Sequence, residues 1–347
     1  VSVRATDDHI ATPLRTFLLV KTSSLGDVVH NLPVVSDLRT VFPGAAIDWL
    51  VEETFAEIPR LHPGLRRVVT CAVRRWRGSI FRGATWREIH RLGDNLRHAR
   101  YDAVIDTQGL LKSAWLTRMA GGERHGLDWR SSREPLRFFY DHTHRVPWGR
   151  HAVVRNRELA ARALGYELPP TLDYGIVAPP LPARPSDDDA PPAWLDHDTS
   201  FSWLPARPIV VFLHATSAEA KLWPEHQWKK LAARFTGDGF TVVLPWGQDD
   251  ERLRAERIAD SLRHVITAPR LGLRAMAILL GQAQLCVGVD TGLTHFAAAL
   301  GRPTVGIYTA TDPAATGVLA PGKAVNVGGR RESPSVADVL TAINAIF

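Results

Sequence analysis

Leu285-Cys286-Val287-Gly288-Val289-Asp290-Thr291-Gly292-Leu293-Thr294-His295 decides how this chain is read, because it passes from an apolar run through a polar turn into a helix. The apolar run is short, rich in β-branched residues and bounded by a polar turn, as expected of a strand buried on both faces of a parallel sheet in an α/β fold. Thr291 and Gly292 fall where the helix starts, and the unpaired N–H groups and dipole of a helix N-terminus favour phosphate. Asp290 has two readings, an acceptor for sugar hydroxyls or a helix cap. His295 likewise reads as a site residue or as a satisfied core histidine.

The same order of strand, polar loop and helix occurs at two other places. Phe17-Leu18-Leu19-Val20 leads through Lys21-Thr22-Ser23-Ser24-Leu25-Gly26 to Asp27-Val28-Val29-His30. Gly26 lets a backbone approach a ligand closely. From spacing alone Asp27 reads first as a first-turn helix residue that complements the dipole, and second as a general base at the strand edge. Beyond the strand expected at 209–214 come Thr216, Ser217 and Lys221, hydroxyls and a cation that suit a diphosphate. A solvated surface lysine fits Lys221 equally well. Neither GxGxxG nor GxxxxGK[ST] occurs, which removes the main support for dinucleotide or P-loop chemistry.

Working outward, strands are expected at 16–20, 47–51, 103–106, 209–214, 241–244, 285–289 and 304–307, with helical spacing at 228–235, 249–261 and 293–300. The stretch 177–208 carries proline pairs and the acidic run Asp187–Asp189, and reads as a linker. The expected organisation is therefore an N-terminal Rossmann-like domain over 1–176, a linker over 177–208, and a second Rossmann-like domain over 209–334. A final apolar-faced helix over 335–347 is expected to pack back on the N-terminal domain. Two such parallel sheets would face each other across a cleft, and ligands of open α/β sheets bind at that strand edge.

Composition narrows the classes. With 45% hydrophobic and 22% charged residues the chain is globular. No apolar run approaches the roughly 18 residues of a membrane span, and the start lacks a secretory layout. Only two cysteines occur, Cys71 and Cys286, which points to a reducing cytoplasm rather than a disulfide framework. Residues 60–100 hold 11 arginines against Glu88 and Asp94 alone. A block of this kind attracts a polyanion, although an arginine-rich composition (36 Arg, 6 Lys) explains part of it. No recognised nucleic-acid module accompanies it, and no cluster has the spacing of metal ligands.

Nine blocks resemble the ADP-heptose:lipopolysaccharide heptosyltransferases, a glycosyltransferase family with the two-domain GT-B architecture. They are LLVKTSSLGDVVHNLP, IDWLVEE, AVRRWR, YDAVIDTQGLLKSA, HGLDWRSSREPL, FLHATS, KLWPEHQW, LPWG and VDTGLTHFAAALGRP, in order from Phe17 towards Asp312. SSLGD and DTGLTH resemble the type I branch rather than type II. The resemblance implies inverting transfer of L-glycero-D-manno-heptose from ADP-heptose to a Kdo hydroxyl of Kdo2-lipid A in inner-core synthesis, without a metal or other cofactor. It makes Asp27 the expected base, reversing the reading from spacing. Lys221 and the Thr291–Gly292 helix start would meet the departing diphosphate, with Thr216 and Ser217 in support. Asp290 would hold heptose hydroxyls and Glu251 the adenosine ribose, while Ser24, Gly26 and His295 complete the expected donor site. Arg74, Arg75 and Arg77 would clamp the anionic acceptor and hold the enzyme on the cytoplasmic face of an anionic inner membrane. The rival readings are a family member with another core acceptor, and a non-catalytic nucleotide-sugar-binding protein.

Overall fold

A computed structural model describes residues 15–182 and 201–347 of the chain. The first half runs β1 (Thr16–Val20), α1 (Leu25–Val29), α2 (Leu32–Val41), β2 (Ala46–Glu52), α3 (Glu57–Arg60), β3 (Arg67–Cys71), α4 (Val73–Arg77), α5 (Gly83–His98), β4 (Ala103–Asp106), α6 (Leu111–Thr117), β5 (Glu123–Leu127), β6 (His142–His144) and α7 (Ala152–Leu164). The second half runs β7 (Ile209–Leu213), α8 (Glu225–Gly237), β8 (Thr241–Leu244), α9 (Asp249–Ala259), β9 (Val265–Thr267), α10 (Leu273–Gln282), β10 (Ala283–Val289), α11 (Gly292–Ala299), β11 (Thr304–Tyr308), α12 (Pro313–Thr316), β12 (Ala324–Gly328) and α13 (Val336–Asn344).

Each half is one six-stranded parallel sheet, ordered β3-β2-β1-β4-β5-β6 and β12-β11-β10-β7-β8-β9. The two orders are the same doubly wound plan, reversing between β1 and β4 and between β7 and β10. These are the switch points where neighbouring crossovers go to opposite faces and leave a crevice at the strand C-termini. The arrangement is the one a GT-B fold requires. The seven expected strands are all present. β3, β5, β6, β9 and β12 lie towards the sheet edges, and their half-exposed residues carry no continuous apolar run for a sequence reading to find.

One apolar core crosses the boundary between the halves. Phe17, Leu19 and Ile47 belong to the same buried cluster as Val211, Ile278 and Phe296. The chain after α7 runs along the second half, placing Ala178 so close to Gly281 that a Cβ there would collide with it. Thus Ala178, in the first part of the expected linker, touches the second half, while Val177 beside it is exposed. Phe201 at the linker's far end is buried, and 183–200 lie outside the described residues.

The final helix corrects an expectation. α13 packs on β11, β12 and α8 of its own half rather than returning to the first. Its buried Val339, Ala342 and Ile343 join Val210, Phe212 and Trp228 in a separate core, so its apolar face is satisfied beside the strand that precedes it. Ser335 accepts from the Asp338 N–H while Asp338 accepts from the Ser335 N–H, a capping box that starts the helix directly after β12.

Candidate active site

Four loops meet where the two switch points face each other, leaving β1, β4, β7 and β10. In the first pair, the Asp106 carboxylate at the end of β4 accepts from the Gln108 and Gly109 N–H groups and the Tyr140 hydroxyl. Burial pushes Asp106 above its usual carboxylate range against those bonds. The turn so formed aims Gln108 at the β1 loop, where its Oε1 accepts from the Thr22 and Ser23 N–H groups at 3.0 Å each. Lys112 donates to Ser23 Oγ at 2.6 Å, and the buried Lys21 donates to the Thr107 carbonyl and Asn156. Burial lowers Lys21 from its usual value, opposed by the charges of Asp27 and Asp106.

Asp27 is the first-turn helix residue its spacing suggested, and it also faces a cavity. Its Oδ2 accepts from the Ser24 N–H at 2.9 Å and from Ser24 Oγ at 3.1 Å, which makes it the third-residue partner of Ser24 in the capping box of α1. It also lines a cavity of about 260 Å³ together with Lys21, Arg133, Arg150 and Arg155. Ala315 and Thr316 of the second half close the far wall. One carboxylate therefore stands among four basic side chains at the domain joint. Ser24 itself is exposed, and its part is to hold the Asp27 carboxylate.

The second pair of loops brings Lys221 and Asp290 together. Lys221 Nζ lies 2.8 Å from Asp290 Oδ2, which also accepts from Thr311 Oγ1 at 2.6 Å. Thr216 Oγ1 donates to the Asp290 carbonyl, whereas Ser217 is exposed. Burial would raise the Asp290 carboxyl, but the nearby His295 at 3.9 Å and the contacts from Lys221 and Thr311 outweigh it and hold the group well below the usual range. The lysine is therefore paired before any ligand arrives, and a diphosphate would compete with Asp290 for it.

Gly26 and Gly292 place the two helix starts against each other. A Cβ on Gly292 would lie 2.8 Å from the Gly26 nitrogen and from Leu25 Cβ, so only glycine permits this approach. Beside them His295 is buried in the joint, with its Nδ1 3.2 Å from His30 Nε2, one ring donating and the other accepting. His151 Nε2 donates across the same joint to the Gly317 carbonyl at 2.9 Å. Burial, then the neighbouring His295 and His151, hold His30 well below its usual titration range.

On the other side of this contact lies a second cavity of about 310 Å³ between the halves, lined by Leu25, Phe55, Trp246, Leu273, Met276 and Thr291 among others. Glu251 is on its wall, and its Oε2 accepts from the Gly247 and Gln248 N–H groups as the cap of α9. An apolar slot rimmed by a carboxylate and a helix start suits a heterocyclic base with its ribose and phosphates.

Arg75 is bound to Glu53 at 3.2 Å and to Glu88 at 2.9 Å, and Trp76 is buried with its indole N–H on Glu88. Arg75 is thus committed to ion pairs within the fold, the partner Glu53 having been brought in from another strand end. Arg74 lies over the Phe55 ring at 5.3 Å, near the second cavity, and Arg77 is exposed. The cations at the first cavity are Lys21, Arg133, Arg150 and Arg155. Lys21 and Arg133 stand inside the recognised blocks, but only the folded chain draws them to Asp27. Among the described residues no group of three or more His, Cys, Asp or Glu is arranged to hold a metal ion, and no helix is long and apolar enough to cross a membrane.

Comparison with known proteins agrees with this fold. The model of glycosyltransferase family 9 (heptosyltransferase) matches residues 89–342. Lipopolysaccharide heptosyltransferase 1 of Pseudomonas aeruginosa is 46% identical over 303 residues, covering 86% of this chain and 80% of that protein. The Escherichia coli protein of the same name is 42% identical over 303 residues, covering 86% of this chain and 89% of its own. The solved structure of E. coli heptosyltransferase WaaC with ADP has a TM-score of 0.82 at 38% identity, covering 96% of this chain and 100% of that one. WaaC with ADP-2-deoxy-2-fluoro heptose has a TM-score of 0.76 at 38% identity, covering 95% and 97%.

Proposed function

The chain belongs to glycosyltransferase family 9, the heptosyltransferases, and from that premise we propose that it moves heptose from ADP-heptose to a Kdo hydroxyl of Kdo2-lipid A at the cytoplasmic face of the inner membrane. Membership makes it a glycosyltransferase of lipopolysaccharide synthesis with a nucleotide-linked heptose donor. The acceptor and the residue roles are the proposal. The observation that carries them is the cavity in which Asp27 shares a wall with Lys21, Arg133, Arg150 and Arg155. An acceptor made of sugar acids and phosphates needs several cations, and a hydroxyl nucleophile needs one base.

In this reading the nucleotide occupies the apolar slot, with Glu251 towards the ribose. The diphosphate points at Lys221 and the start of α11, supported by Thr216 and Ser217, while Asp290 and His295 stand towards the heptose. Asp27 takes the proton from the acceptor hydroxyl as its oxygen attacks the anomeric carbon. The bond to the diphosphate breaks on the opposite face, giving inversion through an oxocarbenium-like state, by the same logic as a single-displacement glycosidase. Negative charge then develops on the departing ADP, where Lys221 and the helix dipole offset it without any group having to move far. Ser24 orients the base, and Gln108 holds the loop that carries it.

Incubating the protein with ADP-heptose and Kdo2-lipid A, and following the acceptor by mass spectrometry, tests the proposal. Addition of one heptose is expected. No addition, with transfer to an already heptosylated acceptor instead, would replace the acceptor assignment.

A further inference from the structure

Three large side chains of the first half are turned almost wholly to solvent: Phe81 is 101% exposed, Phe138 87% and Trp129 67%. Single exposed apolar residues are ordinary, but these share a location. The strands β3 to β6 are all parallel, so the segments that leave them lie at one edge of the sheet, the edge that carries Asp27. Phe81 is in the segment after β3, and Trp129 and Phe138 are in the segment after β5. Arginines alternate with them: Arg77 and Arg82 beside Phe81, and Arg130 and Arg137 beside the other two. Arg130 lies over the Trp129 ring at 4.7 Å. The acids of the second segment are turned to backbone, Asp128 accepting from the Arg130 N–H and Glu134 from the Leu111 N–H.

We propose that these two segments are feet that place their aromatic tips in the headgroup layer of an anionic bilayer while the arginines meet its phosphates. This rests on the reading of a lipid-linked acceptor and adds how that acceptor is reached. Arg133 and Arg150, from the second segment and the chain following it, also line the Asp27 cavity, so a lipid-anchored sugar head could enter without its acyl chains leaving the membrane. A lipid surface fits better than a protein partner. The feet follow β3 and β5, four places apart in the six-stranded order, about 19 Å at ~4.8 Å per strand spacing. Protein interfaces gather their aromatic anchors at one centre, whereas aromatic rings with arginines spread across a plane match the interface of a bilayer.

Co-sedimentation of the full chain with vesicles of phosphatidylglycerol and phosphatidylcholine tests this, comparing Phe81→Ser and the double variant Trp129→Ser/Phe138→Ser with the unaltered protein. All three positions are surface positions, and thermal melting checks that the variants fold. Phe81→Ser is expected to lower vesicle partitioning about tenfold, the scale of losing one buried aromatic ring, and the double variant about a hundredfold. Transfer to a deacylated, water-soluble Kdo acceptor is expected to stay unchanged. Variants that bind vesicles as tightly as the unaltered protein would overturn the feet and leave the proposed reaction standing. A fluorescent single-stranded oligonucleotide that displaces the protein from vesicles and loses its own binding in the same variants would assign the surface to nucleic acid instead. Failure of the unaltered protein to use the soluble acceptor would count against the proposed reaction itself.

Discussion

Replacing Gly292 with alanine loads one point of the joint. The added Cβ would lie 2.8 Å from the Gly26 backbone nitrogen and from Leu25 Cβ, and would also meet Leu25 Cδ2, where 3.4 Å begins ordinary contact. Leu25 can turn aside, but the Gly26 nitrogen is backbone, so the two helix starts must separate by about 0.6 Å along that contact. Overpacking of this size costs about 1–3 kcal/mol. The cost falls on the contact that holds Asp27 against the donor side. If that closed arrangement is the reacting one, the transfer rate drops by about 5- to 150-fold at 1.4 kcal/mol per factor of ten. Initial-rate transfer measurements with melting curves give the readout. Gly26→Ala provides a graded comparison, because its Cβ meets His295 Cδ2 at 3.4 Å and Gly292 Cα at 3.6 Å, and its loss should be several-fold smaller. Gly237→Ala, with nothing within 4 Å, should behave as the unaltered chain. A Gly292→Ala protein with an unchanged rate would refute the idea that the approach of α1 and α11 belongs to the reacting state.

Asp27→Asn preserves the shape of the α1 cap and removes the base, so transfer should fall by at least about a hundredfold while calorimetry still detects ADP-heptose binding; near-normal turnover would remove Asp27 as the base. Lys221→Ala should raise the donor's apparent KM by about 10- to 150-fold, the value of a charged hydrogen bond, whereas Asp290→Asn frees Lys221 and should leave ADP affinity at or above its starting value while slowing transfer. Loss of ADP affinity in Asp290→Asn would place that carboxylate on the nucleotide. His62 supplies a pH test: its Nδ1 accepts from the Gly64 N–H while Nε2 meets Ser36 Oγ, and burial lowers it from 6.5 to about 4. The unfolded chain then binds the proton more readily between those values, so stability should decline as pH falls from 6.5 towards 4. His62→Asn should flatten that decline in denaturant titrations, and an unchanged slope would show that other groups produce it.

The sequence alone was sufficient for the elements that are buried on both sides. β1, β4, β7 and β10 are central strands, their apolar runs are uninterrupted, and the loops that follow them carry Asp27, Lys221, Asp290 and Gly292 in plain sight. Periodicity reports burial, and burial is greatest at the middle of a sheet. It fails at the edges for the same reason, which is why β3, β5, β6, β9 and β12 were not legible. Pairing of charge is not legible where the partner is distant in the chain: the arginine block shows its excess of cations, but only the fold brings Glu53 to join Glu88 on Arg75. The direction of α13 was likewise undetermined, since an apolar stripe states only that something must cover it. Tertiary structure also decided what spacing could not express: that Asp27 is both cap and cavity wall, that Lys221 rests on Asp290, and that His30 meets His295. Lys221 and Asp290 leave neighbouring strands of one sheet, and His30 and His295 belong to different halves, so only the folded chain brings each pair within reach.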